Sequence, residues 1–213
     1  MHGGGLLVIS ASNPAVPRVV GRESQYTMSP GLVDLALSGD HVFAADRTGG
    51  FVAIDISRRT EPQRVGSYPT CGLPADVTVP DTRAYVAIGW GTLTLQVDDP
   101  AAPRQGGYVP STGALYLTAS GDGLLLTGET GFFANWTRVR DLGEWRKTAT
   151  LPVSPRDVAI GGGHVFLAAE RTLRGLRVYA VRDLAAPREV AVRLEATQLE
   201  GVALAWPHLY VTG

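Results

Sequence analysis

The sequence is poor in cysteine and carries almost no net charge. Its one cysteine, Cys71, can form no disulfide within the chain and cannot build a cysteine-rich zinc site. Lysine and arginine together number 19 and aspartate and glutamate 20, which leaves a net charge of -1. A chain without a positive excess has no general affinity for nucleic-acid phosphates. We therefore predict no nucleic-acid partner.

Long hydrophobic runs and familiar catalytic motifs are also missing. Apolar stretches such as 6–9 and 124–126 are far shorter than the roughly 20 residues of a membrane-spanning helix. Residues 1–5 contain no lysine or arginine, so no secretory signal is visible and membrane insertion is not predicted. No G-x-S-x-G, Walker, H-E-x-x-H or EF-hand pattern is present, which makes a non-enzyme the favoured prediction.

The composition indicates a globular protein with many turns. Of the 213 residues, 45% are hydrophobic and 18% are charged, which excludes a disordered chain. The 26 glycines and 14 prolines are spread along the chain, and this distribution favours many turns over long helices. The length suits one sizeable domain, so we predict a single domain over residues 1–213.

A repeat of about 42 residues runs through the chain. One series of similar segments places equivalent positions 40 to 44 residues apart, at His41, Arg83, Gly123, His164 and His208. A second series, out of phase with the first, aligns positions 41 to 45 residues apart, at Pro17, Pro62, Pro103, Trp145 and Pro187. Because two independent markers give the same period, we predict a repeat architecture.

Each repeat contains four short apolar runs separated by turn residues. In the second repeat the runs are 33–37, 42–45, 51–56 and 64–68, and they alternate with period two as strands do. Four antiparallel strands in this length are typical of one β-propeller blade. A single blade would leave both sheet faces bare, so residues such as Val52, Ile54 and Ile56 are predicted to form the core between blades.

The two ends of the chain lie at complementary phases of the repeat. The sequence begins at a third-strand run and finishes at a second-strand run, so both ends together make one unit. We predict an all-β propeller of five repeats, closed by a blade split between the termini. An excised stretch of a larger ring is the alternative. The predicted blades are 31–73, 74–113, 114–154, 155–200, and the split blade 201–213 plus 1–30.

The repeat resembles the LVIVD repeat family across nearly the whole chain, although residues 117–149 depart from it. The residues that carry the resemblance are Leu6 to Ile9, Asn13, Pro14, Pro17, Val52 to Ile56, Pro62, Val65, Asp76, Val77, Val79, Tyr85, Val86, Ala87, Asp157, Val158, Leu176, Val178 and Pro187. The resemblance implies a β-propeller, often of more blades. It also implies a bacterial or archaeal surface or secreted protein, mostly without an assigned activity. Fold likeness alone assigns no function.

Three aspartates recur at the start of the first strand: Asp34, Asp76 and Asp157. The other two repeats have Tyr116 and Gly201 there. One hypothesis is that each carboxylate accepts a backbone N–H of the neighbouring blade or of its own turn. The other is that the three converge in the central channel and hold a divalent cation, the only cofactor we consider.

The other candidate residues lie in predicted turns. We predict a structural role for His41, His164 and His208, because equivalent positions of separate blades cannot meet at one ion. Cys71, between two blades, is predicted to fill space as a small apolar side chain. Exposed aromatics and a long loop mark a candidate partner surface, comprising Trp90, Trp206, Arg171 and Arg174.

Three functions remain open on the sequence. The favoured one is a non-catalytic binding or scaffold module that recognises a protein or a glycan through one loop face. The second is a hydrolase or lyase that uses the channel carboxylates with a divalent cation. The third is an architectural piece of a larger surface propeller. A closed ring predicts a monomer, since no sheet edge is left to pair.

Overall fold

A computed structural model of the chain describes residues 5–23, 31–110, 114–119, 124–129, 134–139, 145–151, 153–170, 174–183, 186–194 and 198–213. Within these residues all regular secondary structure is β-strand. None of the described segments forms a helix that is long and apolar enough to cross a lipid bilayer. The chain divides into two compact units, Met1–Ile88 with Leu93–Gly106, and Gly89–Thr92 with Gly107–Gly213.

The described strands form four four-stranded sheets and two two-stranded sheets. The strands from the first half of the chain are β1 (Leu6–Ser10), β2 (Arg18–Glu23), β3 (Leu32–Ser38), β4 (His41–Asp46), β5 (Gly50–Asp55), β6 (Gln63–Tyr68), β7 (Asp76–Thr78), β8 (Arg83–Ala87), β9 (Gly91–Gln96) and β10 (Arg104–Pro110). Those from the second half are β11 (Ala114–Ala119), β12 (Leu124–Glu129), β13 (Ala134–Val139), β14 (Trp145–Leu151), β15 (Ser154–Gly161), β16 (His164–Glu170), β17 (Gly175–Ala180), β18 (Arg188–Arg193), β19 (Gly201–Ala205) and β20 (His208–Thr212).

Every four-stranded sheet is a meander in which consecutive strands are neighbours. The sheets are β3–β6, β7–β10, β11–β14 and β15–β18, and their strands match the four runs predicted for each repeat. β1 pairs with β2, and β19 pairs with β20, each as a separate two-stranded sheet. The sequence predicts these two pairs to be the halves of one split blade, and that pairing stays a prediction.

The middle strands of the first two four-stranded sheets, β4, β5, β8 and β9, are buried on both faces. In the sheet β3–β6, Val52 and Ile54 have no exposed surface and pack with Leu6 of β1 on one face. On the other face, Phe43 and Phe51 pack against the sheet that begins with β7. The predicted core between sheets is therefore confirmed for this repeat. Its period-two alternation sends successive residues to two different cores.

First strands of successive sheets lie against one another within each unit. β3 packs on β7 in the first unit, while β11 packs on β15 and β15 packs on β19 in the second. Because side chains of β3 and β15 touch the next sheet, a carboxylate on a first strand is within reach of a neighbouring backbone. The packing of first strands on one another therefore allows the repeated aspartates to bond to the backbone of the next sheet.

A glycine in the fourth strand lets the next sheet approach closely. A Cβ at Gly66 of β6 would collide with the carbonyl oxygen of Pro100, in the loop that precedes β10. A Cβ at Gly21 of β2 would likewise collide with the carbonyl oxygen of Arg59, in the loop before β6. Only glycine leaves room for backbone at this distance. Gly21 and Gly66 are therefore contact points between neighbouring sheets.

Candidate functional site

Asp34 joins two sheets through a hydrogen bond to backbone. Its Oδ2 accepts the N–H of Val77 in β7 at 2.9 Å. The register of β3 against β4 slips by one residue immediately before Asp34, so Leu32 pairs with Asp46 and Asp34 with Ala45. Such a bulge turns the following side chain, here toward the neighbouring sheet.

Asp157 makes the same contact in the second unit. Its Oδ2 accepts the N–H of Val202 in β19 at 2.9 Å, and its Oδ1 accepts the N–H of Val158 at 2.8 Å. A register slip again precedes it, between Pro155 and Asp157. An ion pair between Arg156 and Glu200, at 3.4 Å, lies beside this contact. Backbone acceptance by the aspartate, one of the two hypotheses, is thus confirmed at Asp34 and Asp157.

The cation hypothesis gains no support from the same residues. In the part of the chain that the structure describes, no group of three histidine, cysteine, aspartate or glutamate side chains could hold a metal ion. Asp76 is half-buried at the start of β7. A cation held by Asp34, Asp76 and Asp157 therefore stays a prediction, as does the hydrolase or lyase that would use it.

The predicted partner residues lie in two kinds of hairpin. Trp90 is in the turn between a second and a third strand, and Arg174 is exposed at the end of the corresponding loop before β17. Trp206 is in the turn between a first and a second strand. In a meander these two hairpins lie at opposite ends of the sheet. Arg171 lies outside the described residues. A shared partner surface stays a prediction.

Trp90 is braced by a tyrosine that sequence analysis missed. Trp90 is 68% exposed and Tyr108 of β10 is 42% exposed. The Tyr108 hydroxyl donates a hydrogen bond to the Trp90 carbonyl at 2.9 Å. A Cβ at Gly91 would lie 2.8 Å from that hydroxyl oxygen, so the phenol lies directly against the hairpin backbone. The equivalent residues in two other repeats are Ser67 and Val192. An aromatic residue that only one of these repeats has at this position is a sequence signal that could have pointed to Tyr108.

Trp206 has a different environment although it is equally exposed, at 67%. Gly162 has a φ of +58°, and a Cβ there would lie 2.9 Å from the Cη2 and Cζ3 atoms of the Trp206 indole. The indole therefore packs on the glycine turn between β15 and β16. This contact joins two hairpins of the second unit and gives Trp206 a structural role.

The repeated histidines lie at the start of second strands, next to these turns. His164 Nδ1 is 2.8 Å from the carbonyl oxygen of Gly162, and its ring lies 6.4 Å from that of Phe166. The His41 ring stacks on Phe43 at 6.1 Å. Cys71 is exposed, so its predicted role as an apolar filler is wrong. It lies in the linker between β6 and β7 and is not part of the hydrophobic core that the sheets of these two strands share.

A polar triad, in which Tyr179 is buried and Glu189 is exposed, fastens β17 to β18. Glu189 Oε2 accepts hydrogen bonds from the Tyr179 hydroxyl at 2.8 Å and from Arg177 at 2.9 Å. Burial alone would raise the pKa of Glu189, but the bonds from Arg177 and Tyr179 and the arginine charge lower it overall. Burial is the main reason that the pKa of Tyr179 is raised, and its hydrogen bond to the Glu189 carboxylate raises the pKa further. The triad holds the outer strand β18 against β17.

Comparison with known proteins identifies the repeat. Residues 33–70, which span the sheet β3–β6, match the family model described as "LVIVD repeat". The chain carries an LVIVD repeat. The family resemblance drawn from the sequence is thereby confirmed. The match and the four-stranded antiparallel sheets are consistent with a β-propeller repeat protein. No curated protein matches the chain significantly.

Two solved structures resemble this chain in fold. A functionally unknown protein from Desulfotomaculum acetoxidans DSM 771 has a TM-score of 0.75 and 16% identity, over 91% of this chain and 65% of its own. A protein from Lactobacillus plantarum has a TM-score of 0.66 and 17% identity, over 81% of this chain and 58% of its own. The chain thus spans 58% to 65% of the length of these structures. At such identity the likeness shows the fold alone.

Proposed function

We propose that this protein is a non-catalytic β-propeller module that binds a protein or a glycan. We further propose that it does so through the sheet end that carries Trp90, which we call the Trp90 end. The observation that carries the proposal is the exposed indole of Trp90, held on a hairpin by Tyr108. Exposed aromatic side chains in a fixed position are frequent energetic centres of binding surfaces.

The roles of the repeated polar residues support a non-catalytic module. Asp34 and Asp157 use their carboxylates to hold neighbouring backbone, and Glu189 is occupied by Tyr179 and Arg177. Groups engaged in this way stabilise the scaffold. An extracellular or cell-surface location, implied by the family resemblance, is part of the same proposal.

The test compares two tryptophans of equal exposure. Trp90→Ala removes the indole of the Trp90 end, and Trp206→Ala removes an equally exposed indole from the other kind of hairpin. Wild-type protein, immobilised, is screened against a glycan array and against cell-envelope extract, with retained proteins identified by mass spectrometry. The affinity of each purified ligand is then measured.

We expect Trp90→Ala to weaken binding at least tenfold, as loss of a central aromatic contact does, and Trp206→Ala to leave it within about twofold. Circular dichroism of both variants confirms that they fold. Retention of no ligand by wild-type protein contradicts the proposal. So does equal affinity of wild type and Trp90→Ala for every retained ligand.

We also propose that the five repeats form one closed ring, with β19–β20 and β1–β2 as the two halves of a single blade. The position of these strands in the repeat supports this. β19 and β20 correspond to the first and second strands of a blade, and β1 and β2 correspond to the third and fourth. Leu35 and Leu37 of β3 are 49% and 68% exposed on the face where a preceding first strand would lie. Covering that face with β19 and β20 would bury both leucines.

A further inference from the structure

We propose that Trp90 and Tyr108 form a binding site for a neutral saccharide. This inference rests on the proposed binding function and names the ligand class for the Trp90 end. It depends on how the two rings are held, on the absence of charge in the segments that hold them, and on the area that they offer. Each of these observations is local to one hairpin and the strand beside it.

The phenol ring is joined to the backbone of the hairpin that carries the indole. The Tyr108 hydroxyl donates its proton to the Trp90 carbonyl, and the phenol lies against Gly91. A Cβ at Gly91 would also collide with the carbonyl oxygen of Val109, so the strands approach closely here. A surface that is ordered before the ligand arrives loses little conformational entropy on binding.

The hairpin leaves one side open for a ligand. Gly89 has a φ of +79°, and the position of a Cβ there has no atom within 4 Å. Trp90, the next residue, is 68% exposed. The indole is therefore accessible beside a bare stretch of backbone. Backbone N–H and C=O groups there supply donors and acceptors beside an aromatic face.

The segments that carry the rings contain no charged residue. Residues 88–92 and 107–110 read IGWGT and GYVP. A phosphate or a carboxylate is usually recognised by arginine, lysine or a helix N-terminus, and neither segment provides one. The chemistry here consists of aromatic faces, a phenol oxygen and backbone, which favours a neutral ligand.

The area suits a small ligand better than a protein. An aromatic side chain buries about 150–250 Å², so two rings supply well under the roughly 800 Å² that each partner contributes to a standard protein interface. A pyranose ring presents an apolar face of C–H groups and an edge of hydroxyls. The face stacks on Trp90. The Tyr108 oxygen, having donated its proton, still accepts a hydrogen bond from a sugar hydroxyl.

The experiment measures binding of defined trisaccharides. Maltotriose, cellotriose, mannotriose and triacetylchitotriose are the neutral probes, and trigalacturonic acid is the acidic one. Each is titrated to millimolar concentration and followed by saturation-transfer NMR and calorimetry. The proteins are wild type, Trp90→Ala, Tyr108→Phe and the matched control Trp206→Ala. Tyr108→Phe keeps the ring and removes its hydroxyl.

We expect at least one neutral trisaccharide to bind wild type and Trp206→Ala alike. Trp90→Ala should lose affinity about tenfold or more, and Tyr108→Phe should lose several-fold. The inference is overturned if no neutral trisaccharide binds wild type, if Trp90→Ala binds unchanged, or if the acidic trisaccharide binds best. Should a protein ligand prove sensitive to Trp90→Ala while no saccharide binds, the binding function stands and the saccharide inference fails.

Discussion

At the scale of single residues, the repeated aspartates act as connectors between sheets. Asp34 and Asp157 each follow a bulge and each accept the N–H of the next first strand. The preceding repeat has Tyr116 at this position, and the N–H of Val158 is bound by Asp157 itself. Asp34 and Asp157, one in each unit, thus make the same bond.

Replacing Asp34 by alanine should destabilise the protein. The N–H of Val77 would lose its acceptor in a half-buried place, which costs about 1–3 kcal/mol. The free energy of unfolding in urea measures this loss. Asp40→Ala, in the exposed turn after β3, is the matched control and should change the free energy by less than about 0.5 kcal/mol. Equal effects of the two substitutions would contradict the role given to Asp34.

Calcium or magnesium distinguishes the two hypotheses for the aspartates. If they serve as backbone acceptors alone, neither ion should raise the melting temperature of wild-type protein. A bound cation at free concentration c would instead stabilise the folded state by RT ln(1 + c/Kd), so the melting temperature would rise with the cation concentration. Thermal shift assays of wild type and Asp34→Ala provide the measurement. A rise in wild type that Asp34→Ala abolishes would restore the cation hypothesis.

The triad of Arg177, Tyr179 and Glu189 makes stability depend on pH. Because its folded-state pKa is lowered from the ordinary value of 4.5, Glu189 stabilises the protein above that pH. This contribution is lost as pH falls through the folded-state pKa. Glu189→Gln should therefore be less stable than wild type at pH 7, and the difference should shrink in acid. Urea unfolding at both pH values measures it.

The control for this pH effect is Glu61→Gln. Glu61 is exposed and lies 3.8 Å from Arg58, a surface pair of little energetic weight. Its substitution should change stability little at either pH. A constant difference between wild type and Glu189→Gln from pH 7 into acid would show that packing, rather than charge, accounts for the effect.

At the scale of elements, the bulge and the glycine of the fourth strand set how sheets stack. The slip between Ala53 and Ile54 leaves one extra residue in β6, next to Gly66. The same slip occurs between Val178 and Tyr179, where Ala191 of β18 takes the position of the glycine. A recurrent bulge bends the strand, and a missing Cβ admits the loop of the next sheet.

Gly66→Ala should therefore be costly although the substitution is small. The added methyl group meets the Pro100 carbonyl, and such overpacking costs about 1–3 kcal/mol. The reverse change at the equivalent position, Ala191→Gly, should cost less than about 1 kcal/mol, since it only increases the freedom of the unfolded chain. Urea unfolding compares the two. A similar cost at both positions would show that the close approach at Gly66 does not matter.

At the scale of the whole molecule, the proposed ring depends on a pairing between β1 and β20. By analogy with β4 and β5, where Ala44 pairs with Val52, Val211 should pair with Leu7. Leu7→Cys with Val211→Cys, in a Cys71→Ser background, should then form an intramolecular disulfide under mild oxidation. Non-reducing electrophoresis and mass spectrometry detect it. Leu7→Cys with Leu209→Cys, two residues out of register, is the control.

The products distinguish the arrangements of the ring. A cross-linked monomer from the in-register pair alone supports closure. Covalent dimers or higher species would show that β1 pairs with another copy. No cross-link with either pair would contradict closure, and would favour a ring completed by blades of another polypeptide.

The sequence allowed the strands and their repeat to be predicted almost completely. Alternation in 51–56 and the turn at 38–40 depend on neighbouring residues, and the strands β3 to β6 lie within a residue or so of the predicted runs. The hypothesis that aspartates hold neighbouring backbone was also available, because a contact that shapes the fold recurs in each repeat. Tyr108 was missed because the equivalent residues of other repeats, such as Ser67 and Val192, are not tyrosine, so the repeat pattern does not single out this position.

What the sequence determined by itself is the blade: four strands, their order, and the residues that face each core. These follow from period-two alternation and from glycine and proline in turns, which act over a few residues. Tertiary structure decided that Asp34 reaches Val77, that Cys71 is exposed, and that Tyr108 braces Trp90. Such contacts join residues that are distant along the chain, and their geometry depends on bulges and strand register, which a pattern of residue types does not specify.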